Sequence, residues 1–416
     1  MTVKAESFQR GARVVVVGAG FAGSSFLRGL PPLLRRPGET LLIDRADEYP
    51  FIPLIHEVAV GRIHPDSIRF PIEDLCKGRC EFLNAEVTGL NLTAKTLQTT
   101  AGEVGYEYLV LASGSGAARP PDEIREYFQL FWTLEDALKL RSTLSEAWNE
   151  ALDRRTRPDP GLLNVAIVGG GATGVELAAE VATLFQYLRK RTTRKPAAES
   201  RVLLFEAEDR LLGWLDPYFH RVAMEDLGKL GVEVRLGTVV EAANFEGVKG
   251  GDEWFPARTR IWTTGIDVAP LVRELPGEHD PSGRVSVDAH LTLQEYPEVY
   301  VLGDAALYED PRHGVLPPTA SVAVQEGPWA ARDIGRRLSA KAHPPFDFFD
   351  RGYVVSLGPE SAVAKAVGAK LRGPAAQALY RSIFLYYLKR SRDRVLATSD
   401  WAMERTLGRV GFGRRA

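Results

Sequence analysis

Cysteine is nearly absent: the 416 residues hold two, Cys76 and Cys80. Two thiols cannot build a disulfide-rich secreted scaffold or a four-cysteine zinc site, and no metal ligand set is assigned. Long apolar runs are missing as well; none approaches the ~20 residues that span a bilayer. The opening "MTVKAESFQR" carries an acid and no apolar core, so a signal peptide is not expected. An excess of one charge is lacking. The 52 basic and 54 acidic side chains leave a net charge of −2, which gives no whole-chain reason for a nucleic-acid partner. What remains, 45% hydrophobic and 25% charged, is a globular composition, and the length suggests two or three domains. A cytoplasmic protein is expected, with any membrane contact peripheral.

Glycine, by contrast, is placed with purpose. "VVVVGAGFAGSSFL" (14–27) reads as a buried strand, a glycine turn and a helix, and "VAIVGGGATGVELAAE" (165–180) repeats the order. Gly18 and Gly169 permit the tight turn. Gly20 and Gly171 let the backbone approach a pyrophosphate, and Gly23 and Gly174 let helix and strand pack closely. The helix that follows offers free N–H groups and a partial positive end to phosphates. An acid ends the next strand each time: Asp44, 26 residues after Gly18, and Glu206, 37 after Gly169. Such an acid bonds a free 2′-hydroxyl and repels a 2′-phosphate, so Glu206 favours NADH over NADPH. Two dinucleotide sites in one chain suggest a bound flavin and an exchanging nicotinamide.

Further strands are expected at 13–17, 40–44, 81–99, 106–116, 164–168, 201–208, 259–266 and 299–307, with a hairpin turn at Gly102. Residues 50–75 read as loop with short helices. Helices are expected from about 175 to 190 and from near Thr319. The fold class is α/β, with two Rossmann-like dinucleotide-binding domains and a small C-terminal α/β or helical domain. Expected boundaries are 11–118 with 281–345 for FAD, 119–280 for NADH, and 346–416 for the tail. The basic run 189–195 reads as a solvated loop insertion.

"LVLASGSG" (109–116) and "VYVLGDAA" (from 299) add two more motifs. With them the chain resembles the two-dinucleotide-binding flavoprotein oxidoreductases. Within that superfamily it is most similar to the type II NADH dehydrogenases, on "YPFIPLIHEVAVGRI" (49–63), "GGGATGVELAAE" and "LPPTASVAVQEG" (316–327). The resemblance covers nearly the whole chain. It implies non-covalent FAD on Gly18, Gly20, Phe21, Ala22, Gly23, Asp44, Arg45, Pro53, Ser113, Gly114, Gly303, Asp304 and Ala320. It implies NADH on Gly169, Gly171, Thr173, Gly174, Glu206, Thr264 and Gly265. Glu176 is implied near the nicotinamide and the quinone route, and Gln325 as a hydrogen-bond donor to a quinone carbonyl. Ser321 and His56 depart from the family, which has glutamine and tyrosine there. Residues 45–60 lack the cysteine pair of disulfide reductases, and no cysteine follows Cys80, against sulfide:quinone reductases.

The implied activity is FAD-dependent oxidation of NADH with two-electron transfer to a quinone, without proton pumping. Two alternatives stand beside it. One is a soluble NADH-dependent flavin reductase serving a redox protein or another small acceptor. The other is an FAD- and NADH-binding sensor or scaffold. Residues 365–416 carry 12 basic and 3 acidic side chains, 12 − 3 = +9, interleaved with Leu, Phe, Tyr and Trp. This pattern suits the inner face of a cell membrane. A homodimer contact, or helices docked on the body, is the other reading.

Overall fold

The computed structural model describes residues 10–153, 159–193, 196, 198–388, 390–404, 409 and 412. The chain divides into two compact units. The first contains residues up to 49, 70–116 and 266–350; the second contains 50–69, 117–265 and 351 onward.

The first unit is built on a sheet with Arg10–Val17 at its centre. Thr40–Asp44 and then Glu81–Asn84 lie to one side; Gly102–Leu111 and then Tyr296–Val301 lie to the other, all parallel. Val14, Val15 and Val16 are fully buried, as an apolar run covered on both faces requires. The strand region expected at 81–99 comprises Glu81–Asn84, Val87–Asn91 and Thr96–Thr99, and the last pairs with Gly102–Leu111 across the expected turn. Two helices, Phe21–Gly29 and Ala320–Leu338, cross in this unit. A Cβ on Gly327 would lie 2.4 Å from the Ala22 carbonyl oxygen, and one on Gly29 2.5 Å from Pro328 Cα. Backbone meets backbone there because neither glycine has a side chain.

The second unit repeats the plan. Val165–Val168 is central, between Val202–Phe205 and Thr259–Trp262, with Val232–Arg235 and Gln129–Leu130 at the edges, all parallel. Its glycine-loop helix runs Ala172–Arg191, so Arg189, Lys190 and Arg191 end a helix rather than begin a loop insertion. Cations suit that end, where the dipole is negative. The rest of the basic run lies partly outside the described residues.

The tail belongs to this second unit rather than standing apart as 346–416. Three antiparallel strands, Gly352–Ser356, Ala362–Ala366 and Ala369–Arg372, lead into helices Gly373–Tyr387 and Ser391–Met403. The last helix is pinned by a buried ionic cluster. Arg62, 1% exposed, pairs with Glu180, bonds Glu404 at 3.0 Å and faces Glu57 at 3.7 Å. Trp401 Nε1 donates to Glu57 at 2.6 Å. Burial works against the Arg62 charge, but the three carboxylates override it and hold its pKa above the ordinary arginine value. Among the described residues no helix is long and apolar enough to cross a membrane.

Candidate functional site

Each glycine loop lies beyond the carboxyl end of a central strand, with neighbouring strands on both sides, where open α/β sheets bind ligands. The two loops superpose in their chemistry. Gly18 takes φ +100° and Gly169 φ +115°, a region closed to most side chains. A Cβ on Gly23 would sit 1.9 Å from the Gly18 oxygen, and one on Gly174 1.9 Å from the Gly169 oxygen. The middle glycines differ: a Cβ on Gly20 would touch only one atom, at 4.0 Å, and one on Gly171 would touch nothing. Protein fills the space beside the outer glycines and leaves the middle ones open, which fits a pyrophosphate in each cradle.

The two acids are held in the same way. Asp44 accepts from Ala19 N at 2.7 Å and from Ala46 N at 2.9 Å. Glu206 accepts from Gly170 N at 2.6 Å and from Glu208 N at 2.8 Å. Each carboxylate thus grips the centre of its own loop and the residue two places on. Both side chains remain partly exposed, as a ribose diol requires.

In the first unit Gly303 takes φ +67° and Asp304 follows it. Asp304 accepts from Ser115 Oγ at 2.7 Å, and its pKa is raised by burial, against the pull of Ser115 and Arg284. Ser113 Oγ is buried without a hydrogen-bond partner, an orphan that a bound dinucleotide could satisfy. Gly114 takes φ +64° with open space beside it. Phe21, Ala22 and Ala320 open their helices, and Ala22 lies against Gly303. Arg45 is exposed, 3.7 Å from Glu86. Glu326, which the sequence reading passed over, is 1% exposed and accepts from Gly303 N. Burial pushes its pKa up to about 8, Asp304 adding to the shift and the Gly303 bond opposing it. Thr319 is the N-cap of Ala320–Leu338, yet its hydroxyl makes no cap bond. Both ends of the Gln325 amide are engaged on Phe349: Nε2 donates to its carbonyl at 3.1 Å and Oε1 accepts from its N–H at 3.2 Å.

In the second unit Pro53 lies in a short 3-10 turn, Thr173 in the first turn of the loop helix, and Thr264 and Gly265 just beyond Thr259–Trp262. Their neighbour Thr263, not singled out from sequence, buttresses the loop by donating to Val168 O at 2.8 Å. Glu176, one turn beyond Gly171, stands in a polar pocket. Its Oε1 accepts from Ser356 N at 2.9 Å, and its Oε2 faces His56 Nδ1 at 3.7 Å. His56 Nε2 in turn meets the Tyr380 hydroxyl at 3.0 Å. Burial pushes Glu176 up to about 8, with Glu57 and Glu180 adding repulsion and the Ser356 N–H opposing. Burial, then Arg62, pushes His56 down to about 3, and burial lifts Tyr380 well above the phenol range. All three groups are therefore neutral near pH 7. Sequence spacing signals neither Ser356 nor Tyr380, which arrive from the tail. Cys76 and Cys80 do come together, and the Cys80 thiol is pushed up by a hydrogen bond to Cys76 and by burial, which disfavours its thiolate.

The pyridine nucleotide-disulphide oxidoreductase family model matches residues 12–327, both cradles included. The chain belongs to this family. Among curated members, a type II NADH:quinone oxidoreductase of Mycobacterium tuberculosis is 29% identical, covering 94% of this chain and 87% of its own. A demethylphylloquinone reductase of Synechocystis is 27% identical over 95% of this chain and 96% of its own. The solved structure of NDH2 from Plasmodium falciparum in complex with NADH matches 98% of this chain and all of its own, with TM-score 0.85 and 16% identity. At that identity the match speaks for the fold. Pyridine nucleotide-disulphide oxidoreductases named for disulphide chemistry need a redox cysteine pair at the flavin; this member has Cys76 and Cys80 alone.

Proposed function

We propose that this protein is an FAD-dependent NADH:quinone oxidoreductase that pumps no protons and rests on the inner face of the cell membrane. The observation that carries the reading is Glu176, a carboxyl one turn from the nicotinamide cradle, kept protonated at neutral pH by its surroundings. FAD would be held by the first cradle, Asp44, Ser113 and Asp304, and NADH by the second cradle and Glu206. The flavin, when bound, supplies hydride acceptance from NADH and release of two electrons to the quinone. The chain's own residues bind and orient the rings, and Glu176 holds a proton where a reduced acceptor needs one. Gln325 is proposed on the acceptor side, and Ala320 with the flavin.

The test is NADH oxidation by purified holoprotein with menaquinone and ubiquinone analogues. One quinone reduced per NADH is expected. Oxidation that proceeds only with an added redox protein would sink the quinone assignment and favour the flavin-reductase reading. Glu206 also predicts nucleotide choice. Glu206→Gln keeps an oxygen for the loop but removes the charge, and should narrow the NADH-over-NADPH preference by roughly tenfold, or ~1.4 kcal/mol. Equal wild-type rates with both nucleotides would remove the role given to Glu206.

Membrane attachment is proposed through the outer faces of the tail helices. Tyr386 is 73% exposed and Val395 67%, with Arg392 and Arg394 exposed near Val395. Such a surface suits anionic headgroups, at roughly 1 kcal/mol per basic residue. Cutting the tail at 374 would also remove Tyr380 and Trp401 from the interior, so point changes are the sound test. Tyr386→Ser with Val395→Ser should cut flotation on anionic liposomes severalfold and leave NADH reduction of the holoprotein unchanged. Flotation equal to wild type would point to a homodimer contact instead, read by sedimentation.

A further inference from the structure

Three further side chains converge in the first unit. His290 lies in the turn before Thr292–Leu293, Asp333 on helix Ala320–Leu338, and His343 on the segment after that helix. One ligand atom from each lies within 4.8 Å of the other two. Asp333 is fully buried. Its Oδ2 accepts from the Tyr300 hydroxyl at 2.6 Å and from Arg337 Nε at 2.9 Å. Its Oδ1 has no hydrogen-bond partner, and neither has the buried Nδ1 of His290. His343 Nδ1 faces that same Oδ1 at 3.5 Å. Buried polar atoms are paired in the great majority of cases, so two orphans in one small cluster point to a missing ligand.

We propose that His290, Asp333 and His343 bind a divalent transition cation of the zinc class. Two imidazoles and a carboxylate are an accepted ligand set for such ions, with a solvent molecule in the open position. Tyr300 and Arg337 orient the carboxylate through its other oxygen, as outer partners do at metal centres. The Arg337 charge opposes the cation and moderates its affinity; it is itself paired with Asp333, lies over the Tyr300 ring and bonds the Pro297 carbonyl. Metal bonds of 2.0–2.1 Å place tetrahedral ligand atoms about 3.3 Å apart, and His343 Nδ1 already stands 3.5 Å from Asp333 Oδ1. Sequence spacing gave no hint, because the ligands stand 43 and 10 residues apart with no short motif.

The cation would fasten the start of a strap. Beyond His343, Phe346 N donates to the Ala289 carbonyl at 2.8 Å, and Phe349 closes on Gln325. The test is isothermal titration of untagged, FAD-replete protein with zinc chloride, paired with thermal unfolding. One ion per chain and a raised melting temperature are expected. His343→Ala and His290→Ala should each weaken binding by at least about tenfold and abolish the thermal shift. A control, His64→Ala with His313→Ala, should leave both unchanged. His343 is exposed, so its variant tests the site without threatening the fold; retained FAD absorbance confirms this. No stoichiometric binding by the wild type, or equal loss in the control, overturns the proposal.

Discussion

Glu176→Gln is expected to slow quinone-linked turnover by ~10²-fold, the low end of what a positioned acid contributes. It should also erase a pH dependence. In the wild type the carboxyl keeps its proton through neutral pH and loses it near pH 8. Turnover should therefore fall as pH rises through about 8, whereas glutamine has nothing to lose and its slower rate should stay flat. Stability supplies an independent sign. The folded pKa lies above the unfolded value of 4.5, so the unfolded chain binds fewer protons between the two. The Glu176 contribution to stability is present below about 4.5 and is lost as pH rises through about 8. Glu176→Gln should thus be at least as stable as wild type at pH 9 while remaining slow. A variant that is slow only because it unfolds would give the opposite pairing. Stopped-flow reduction by NADH and reoxidation by quinone, measured separately, locate the defect. His56→Phe should raise the apparent alkaline pKa further, since it replaces a polar neighbour with an apolar one.

Arg62→Leu is expected to give the largest loss of stability. Removing one partner from a buried ion pair costs about 3–5 kcal/mol, because the remaining charges stay buried. Here Glu57, Glu180 and Glu404 would be left facing one another. Urea unfolding should show a midpoint far below wild type, with partial recovery at pH 5 as the carboxyls take up protons. Since Glu404 and Trp401 attach the last helix to this cluster, limited proteolysis should cut the Arg62→Leu tail first. An unfolding free energy within about 1 kcal/mol of wild type would show that the cluster carries no net weight.

Much of the architecture was legible because its causes are local. The β-branched run at Val14–Val17, the glycines at 18, 20 and 23 and the acid at Asp44 specify strand, turn, helix and strand within 31 residues, and the second unit repeats them. Asp44 and Glu206 stand out because each ends the strand that follows its loop, although one lies 26 and the other 37 residues after its first glycine. The surroundings of Glu176 do not. His56 lies 120 residues before it, Ser356 180 after and Tyr380 204 after, and no periodicity links them. The docking of the tail was not legible for a related reason. Its composition describes the face turned outward, whereas its docking is decided by single side chains, Tyr380 and Trp401, that meet partners from the first half of the chain.

The crossing of Phe21–Gly29 and Ala320–Leu338 has a bearing on how this protein can drift. Gly29 and Gly327 key the two helices together backbone to backbone, and Gly335 makes room for the Pro31 side chain just beyond the first helix. A helix seated by side chains can roll when those side chains change. A helix seated by backbone cannot roll without parting from its neighbour, so the pose of its Thr319 end is indifferent to repacking elsewhere. Mutational tolerance should accordingly be uneven: broad across the aliphatic faces of both helices, and close to nil at these few glycines, where even alanine would prise the first cradle open.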